Sequence, residues 1–110
     1  MVKEGLRLPA CVHIHGDWAV IGELRGRVTI LDKKGEVYAH LGANETKGEI
    51  GTNRTPSEKW RPGIVTAPHG ITCNANGDIF VAEWNVVGRV HRFNRASSSK
   101  GAFFNGKTLK

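Results

Sequence analysis

Histidines are the residues in this sequence whose type and spacing could bind a metal ion. His13 and His15 lie two residues apart in Ala-Cys-Val-His-Ile-His, a segment that alternates small or apolar with polar residues. Such alternation is typical of a β-strand, where residues two apart point to the same face. His69 opens a second apolar segment, in Pro-His-Gly. Converging imidazoles could hold Zn²⁺ or another divalent cation.

The same histidines also have a simpler, structural interpretation. An imidazole at a strand start or turn can hydrogen-bond to neighbouring backbone groups without holding any ligand. We favour this interpretation for all three, and we keep His69, His13 and His15 as candidate metal ligands. His40 and His91 have no partner pattern, and we expect surface or edge positions for both. No cofactor is predicted with certainty, and zinc is the one that the histidines suggest.

A repeated acid–arginine pair is the second feature that resembles chemistry. Glu23 is followed by Arg27, and Glu83 by Arg89, in both cases across a predicted turn between strands. Because the pair recurs at corresponding places, we interpret it as a structural clamp of a hairpin, of modest energetic value if exposed. We predict no catalytic residue, since the sequence shows no Ser/His/Asp or Cys/His arrangement and no phosphate-binding glycine loop.

Composition and charge narrow the possible functions. The 110 residues carry a formal net charge of +6, but the basic residues are scattered, which favours a solvated surface over a nucleic-acid groove. Cys11 and Cys73 form no metal-binding spacing and are predicted to be buried free thiols. No apolar run is long enough to span a membrane, and the first seven residues lack the core of a signal peptide. We assign no location, and a longer protein containing this chain could be extracytoplasmic.

Short strands joined by turn residues must position these side chains. Apolar or alternating segments bounded by Gly, Asn and Asp predict two sets of antiparallel strands. The first set covers residues 10–15, 18–23, 27–31 and 36–41. The second covers residues 71–73, 79–82 and 88–93, with Phe103-Phe104 as either a fourth strand or part of a mobile tail.

An internal repeat is the most specific signal in the chain. Gly16-Asp17 corresponds to Gly77-Asp78, Glu23 to Glu83, and Gly26-Arg27-Val28 to Gly88-Arg89-Val90. The copies are about 60 residues apart, longer than most blade repeats. A long surface loop over residues 42–66, anchored by Trp60, accounts for the excess.

The second copy resembles an NHL repeat, the blade unit of six-bladed β-propellers. The residues that carry the resemblance are Pro68-His69-Gly70-Ile71, Asn76-Gly77-Asp78-Ile79-Phe80-Val81-Ala82-Glu83 and Gly88-Arg89-Val90. Phe80 and Glu83 replace the commoner Tyr and Asp. The first copy keeps Pro9 but has Ala-Cys in place of His-Gly, so its match is weaker.

The resemblance implies an all-β fold of two four-stranded antiparallel blades, a partial β-propeller. The implied divisions are residues 1–7 as the end of a preceding blade, 8–41 as a blade, 42–66 as the loop, and 67–110 as a blade and tail. Two blades cannot close a ring, because propellers have about four to eight. We therefore expect a fragment of a longer propeller, with copies of the chain forming a ring as the alternative.

The implied function is a binding or scaffolding module for a protein, peptide or glycan. Its partners would be the remaining blades or further copies of the chain, together with that ligand; a nucleic-acid partner is not expected. The alternative is a metal-dependent enzyme similar to the peptidyl-α-hydroxyglycine amidating lyases, which are propellers with a histidine-bound zinc in the channel. In that case His69 would be a ligand, with His13 or His15 beside it.

Overall fold

A computed structural model describes residues 5–86, 88–95 and 104–109, and for Arg95 and residues 104–109 it describes the backbone alone. The protein is all-β and consists of two antiparallel sheets, with strand orders β1-β2-β3-β4 and β5-β6-β7-β8. The described residues contain no α-helix, and hence no helix that could cross a membrane. The strands are β1 Pro9–His15, β2 Trp18–Glu23, β3 Arg27–Leu31, β4 Val37–Leu41, β5 Pro68–Cys73, β6 Ile79–Glu83, β7 Val90–Arg95 and β8 Phe104–Leu109.

Turn chemistry sets the limits of these strands. Asp32 accepts backbone hydrogen bonds from Lys34 (2.9 Å) and Glu36 (3.0 Å) through Oδ1, which closes the turn between β3 and β4. Asn74 does the same for Asn76 and Asp78 between β5 and β6, at 3.0 Å each. Short polar side chains that bond to the backbone ahead favour turns over continued strands. Both sheets are therefore meanders of adjacent hairpins.

The two sheets are related by register as well as by order. Pro9 pairs with Glu23 in the first sheet, and Pro68 pairs with Glu83 in the second. In each sheet the register shifts immediately after that proline, so that one residue of the first strand bulges. The sequence repeat is therefore a repeat of hydrogen-bond register.

The core lies between the two sheets, and the faces that the sheets contribute to it do not correspond to each other in the repeat. Directly opposed residues of paired strands share a face. One face of the first sheet, which we name its trailing face, contributes Val20, Val28 and Ile30 to the buried cluster. The face of the second sheet that meets it, its leading face, contributes Ile79, Val81 and Phe93, with Ile71 and Cys73 partly buried beside them. The leading face of the first sheet, which bears Val12 and Ile14, points away from this core.

The segment between β4 and β5 is packed rather than loose. It contains one short 3₁₀ helix, Ser57–Lys59, and a single bridge between Arg61 and Ile64. Val65 is completely buried in the core, and its N–H donates to the carbonyl of Gly42 at 3.0 Å. The predicted surface loop is thus held to the sheets at its end.

Both ends of the chain bear on the sequence predictions. Gly5–Arg7, predicted as the end of a preceding blade, form no strand. The predicted fourth strand of the second copy is present as β8. It is antiparallel to β7, with Val90 opposite Leu109 at one end and Arg95 opposite Phe104 at the other. Residues 1–4 and 96–103, which include the predicted linker, lie outside the described residues.

Candidate functional site

A buried carboxylate organises one end of the first sheet. Glu23 is completely buried and accepts two hydrogen bonds from Arg27, Nε to Oε1 at 3.1 Å and Nη2 to Oε2 at 2.9 Å. The Thr29 hydroxyl donates to Oε1, and the backbone N–H of Arg7 donates to Oε2. Arg27 also donates to the carbonyl of Gly5. Glu23 and Arg27 therefore hold the chain that enters the first sheet.

The second sheet contains the corresponding arrangement. The Oε1 atom of Glu83 accepts from the backbone N–H groups of Thr66 (2.6 Å) and Ala67 (2.7 Å). Arg89 Nη2 lies 2.9 Å from Oε2, and the same nitrogen donates to the carbonyl of Ile64. Both members of this pair are almost completely buried, at 2% and 1% side-chain exposure.

The backbone partners match between the sheets. Gly5 and Ile64 each lie four residues before the proline that begins the first strand, and Arg7 and Thr66 each lie two residues before it. In both sheets the glutamate receives an N–H and the arginine binds a carbonyl from this incoming segment. We name each set of contacts a clamp. Each clamp joins the incoming segment to the turn between the second and third strands, and is therefore more than a hairpin contact.

Burial and hydrogen bonding act in opposite directions on the clamp carboxylates. Burial alone would raise the pKa of Glu23, but hydrogen bonds from Arg27 and Thr29 bring it below its ordinary value of 4.5. Burial likewise opposes ionisation of Glu83, and contact with His91 leads the interactions that lower its pKa below 4.5. Both carboxylates are therefore ionised in the folded protein at neutral pH, as partners of arginine must be.

His91 corrects one expectation from the sequence. A surface or edge position was expected for it, but the side chain is completely buried. Its Nε2 atom lies 2.9 Å from both Glu83 Oε2 and Arg89 Nε. It occupies the place that Thr29 has beside Glu23 in the first sheet. The signal was present in the sequence: each lies two residues after the clamp arginine, on the same strand face.

The three candidate metal ligands do not occupy corresponding positions. His69 is exposed and is the bulged residue near the start of β5, where the first sheet has Ala10. His13 and His15 lie further along β1 and are partly buried. Three residues of strand separate the Ala10 and His13 positions by about 10 Å. The register therefore places His69 at a different level of its sheet from the other two.

The described residues do not bring together enough side chains to bind zinc. Among the described residues no group of three or more His, Cys, Asp or Glu side chains could hold a metal ion. Cys11 and Cys73 are free and only partly buried, and burial raises the pKa of both thiols. The described histidines and cysteines therefore do not fit a zinc site by themselves. A zinc site involving His69 remains a prediction.

The segment after Glu83 presents apolar side chains to solvent on a fixed backbone. Trp84 is 43% exposed and Val86 is 73% exposed. Between them, Asn85 donates from its side chain to the carbonyl of Thr55 at 3.0 Å. The N–H of Val86 donates to the carbonyl of Asn53, also at 3.0 Å. Because the loop holds this segment at two points, the exposed side chains need little ordering to bind a partner.

Trp60 anchors the loop, as the sequence predicts. Its indole N–H donates to the carbonyl of Thr55 at 3.3 Å. The guanidinium of Arg89 lies over its ring, 4.8 Å from the centroid. The cation–π contact connects the loop to the clamp of the second sheet. We name the surface formed by Trp84, Val86 and this loop the loop surface.

Comparison with known proteins finds no family model that matches this chain, and no curated protein or solved structure that is significantly similar to it. The class of the protein therefore follows from its architecture: an all-β protein of two antiparallel sheets packed through opposite faces.

Removal of one clamp member should destabilise the fold strongly. Glu83→Ala leaves Arg89 buried without its charge partner and two backbone N–H groups buried without an acceptor, so we expect the free energy of unfolding to fall by about 3–5 kcal/mol. Arg89→Ala should cost a similar amount. The double variant should cost less than the sum of both, by about 1–3 kcal/mol. Denaturant unfolding of the four proteins measures this cycle.

The exposed pair between Arg7 and Glu45 provides the control. Glu45 is 72% exposed, so Glu45→Ala should change the free energy of unfolding by less than about 1 kcal/mol. A loss of similar size from Glu83→Ala would show that the clamp is not a structural centre. Additive losses in the double variant would show that Glu83 and Arg89 do not act as a pair.

Acid should release the clamps. Because the folded pKa of Glu83 and of Glu23 lies below the ordinary value, their contribution to stability is complete above about pH 4.5 and is lost as the pH falls through the folded values. Denaturation midpoints measured from pH 7 to about pH 3 should therefore decrease steeply at the acid end. Glu83→Gln should be less stable at neutral pH and show a shallower decrease. An identical pH profile for both proteins would contradict this assignment.

Proposed function

We propose that the two sheets are consecutive blades of an NHL-type β-propeller, and that the chain is a binding module that receives a protein, peptide or glycan on its loop surface. The likeness of residues 68–90 to an NHL repeat supports the blade assignment. The equal register and the equal clamps of the two sheets support it too. The observation that carries the binding proposal is the exposure of Trp84 and Val86 on a backbone held by the loop.

The side chains of this surface suit binding. An exposed tryptophan supplies a large contact area with little conformational entropy to lose, and tryptophan is enriched among the residues that dominate binding energy. Val86 adds an apolar neighbour two residues along the chain, and Arg54 and Lys59 on the loop are exposed donors. This combination of an apolar centre with polar groups around it is typical of interfaces with proteins, peptides and sugars.

The polar clusters favour binding over catalysis. Glu83 and His91 are an acid–imidazole pair at 2.9 Å, a distance at which proton transfer is common in enzymes. Both side chains are almost completely shielded from solvent, and their contacts go to the clamp and the incoming segment. A group that no substrate can reach serves structure, so the module acts through its surface.

Trp84→Ala should abolish most of the binding. The labelled 110-residue chain would be screened on a peptide array and on a glycan array, and the affinity for the strongest binder would be measured by calorimetry. Loss of a central tryptophan should weaken that affinity roughly 10- to 100-fold. The free energy of unfolding should fall by no more than about 1–2 kcal/mol, because only about half of the side chain is buried, with 43% exposed.

Tyr38→Ala is the matched control, since Tyr38 is also 43% exposed but lies on β4, in contact with Trp18. It should bind as tightly as the wild type. Equal losses in the two variants, or unchanged binding by Trp84→Ala, would contradict the loop surface as the site. No binder on either array would contradict the binding proposal for these ligand classes.

Metal analysis separates this proposal from the lyase-like alternative. A catalytic zinc site takes about three protein ligands, and the described residues bring no such group together. After dialysis against Zn²⁺ we therefore expect the chain to retain less than one equivalent. One tightly held equivalent in the wild type that is lost in His69→Ala would support the enzyme instead. His40 is exposed on β4 and is not a candidate ligand, so His40→Ala should keep that equivalent.

A further inference from the structure

The contact between the two sheets uses two different surfaces. The first sheet contributes its trailing face, with Val20, Val28 and Ile30, and the second sheet contributes its leading face. Since the sheets repeat one another, each has both kinds of face. One leading face and one trailing face thus remain outside this contact, on opposite sides of the pair.

The leading face of the first sheet exposes apolar side chains on β1. Val12 pairs with Ile21 as Ile71 pairs with Val81, so Val12 and Ile71 occupy corresponding positions. Ile71 is partly buried against the core, whereas Val12 is 61% exposed and its neighbour Ile14 is 65% exposed. A valine and an isoleucine are thus exposed where the second sheet has a covered surface.

The trailing face of the second sheet shows the complementary difference. Val90 pairs with Ala82 as Val28 pairs with Gly22, so Val90 corresponds to Val28. Val28 is completely buried beneath the second sheet, but Val90 is 41% exposed. Phe80 lies next to it on this face, with the Arg92 guanidinium 5.5 Å above its ring.

The incoming segment of the first sheet corresponds to the one before the second sheet, which contacts the end of the first sheet. Val65 lies three residues before Pro68, is buried in the core, and donates its N–H to the carbonyl of Gly42 at the end of the first sheet. Leu6 lies three residues before Pro9 and is only partly buried. The corresponding surface of the second sheet is packed against the first sheet. In the first sheet this surface consists of Leu6, Val12 and Ile14, and no sheet of the described residues packs on it.

We propose that these two faces bind each other between copies of the chain, so that the trailing face of one copy packs on the leading face of the next. The occupant is a second copy because the trailing face of the second sheet keeps apolar residues at two positions of the surface that covers a leading face inside the chain: Val90 stands for Val28 and Phe80 for Val20, while Arg92 replaces Ile30. The two faces differ, so the contact is head-to-tail and gives a ring or an open filament. Because we propose that the sheets are consecutive blades around one axis, we expect a closed ring. With two sheets per copy, a ring of four to eight sheets needs about two to four copies. The number of copies rests on the blade assignment proposed above, whereas the head-to-tail contact rests on the repeat of the sheets alone. Neither depends on a ligand at the loop surface.

Sedimentation velocity and native mass spectrometry of the full chain, from about 1 to 100 μM, test the assembly. The wild type should form one closed oligomer. Ile14→Glu blocks the leading face and Val90→Glu blocks the trailing face, so each variant alone should be monomeric. Each variant still has one open face of the opposite kind. An equimolar mixture should therefore give a 1:1 heterodimer and nothing larger.

Val86→Glu is the control, because Val86 is 73% exposed but lies on the loop surface. It should assemble like the wild type, and so should Trp84→Ala. Circular dichroism should show that Ile14→Glu and Val90→Glu remain folded. A folded wild type that stays monomeric at about 100 μM would overturn the proposal. So would a heterodimer that fails to form, a symmetric dimer that survives both blocking changes, or equal dissociation by Val86→Glu.

Discussion

A buried glutamate that receives backbone N–H groups from the incoming chain is the interaction on which the rest of the structure depends. Its charge must be stabilised, because an unpaired carboxylate inside a protein is very costly. The arginine pairs with that charge and also donates to a carbonyl of the same segment. The clamp thus fixes three parts of the chain with two side chains, and it does so once in each sheet.

With the sheets held in this way, the contact between them depends on close approach near their first strands. A Cβ atom at Gly22 would lie 2.6 Å from the sulfur of Cys11 in the same sheet and 3.4 Å from Pro68 of the second sheet, so a side chain there would have to displace that of Cys11 and would contact Pro68. The corresponding residue of the second sheet is Ala82, which is exposed. The outer trailing face therefore has a Cβ atom at the position where the contact inside the chain has none.

Much of the fold could be predicted from the sequence because its signals are local. β2 and β3 begin and end at the predicted residues, since Gly, Asp and Asn turns interrupt strongly apolar runs. The role of His91 could not be predicted in the same way. Its burial depends on the register of β7 against β6 and on Glu83, which lies eight residues away. The clamp was predicted as a pair, but its backbone partners at residues 5–7 and 64–67 depend on how each incoming segment folds back.

The loop surface and the two outer sheet faces all expose apolar side chains, but they differ in their structural setting. Val12, Ile14 and Val90 lie on regular strands at positions whose counterparts are covered in the other sheet. Trp84 and Val86 follow the end of a strand, and loop carbonyls hold the segment between and around them. Where such a residue is exposed on a strand, the corresponding residue of the other sheet is covered by a neighbouring sheet, so the exposure indicates that a further sheet can pack there. An exposed apolar side chain on the loop surface lies outside the repeated strands, so no neighbouring sheet is expected to cover it. We therefore assign ligand binding to the loop surface and assembly to the sheet faces.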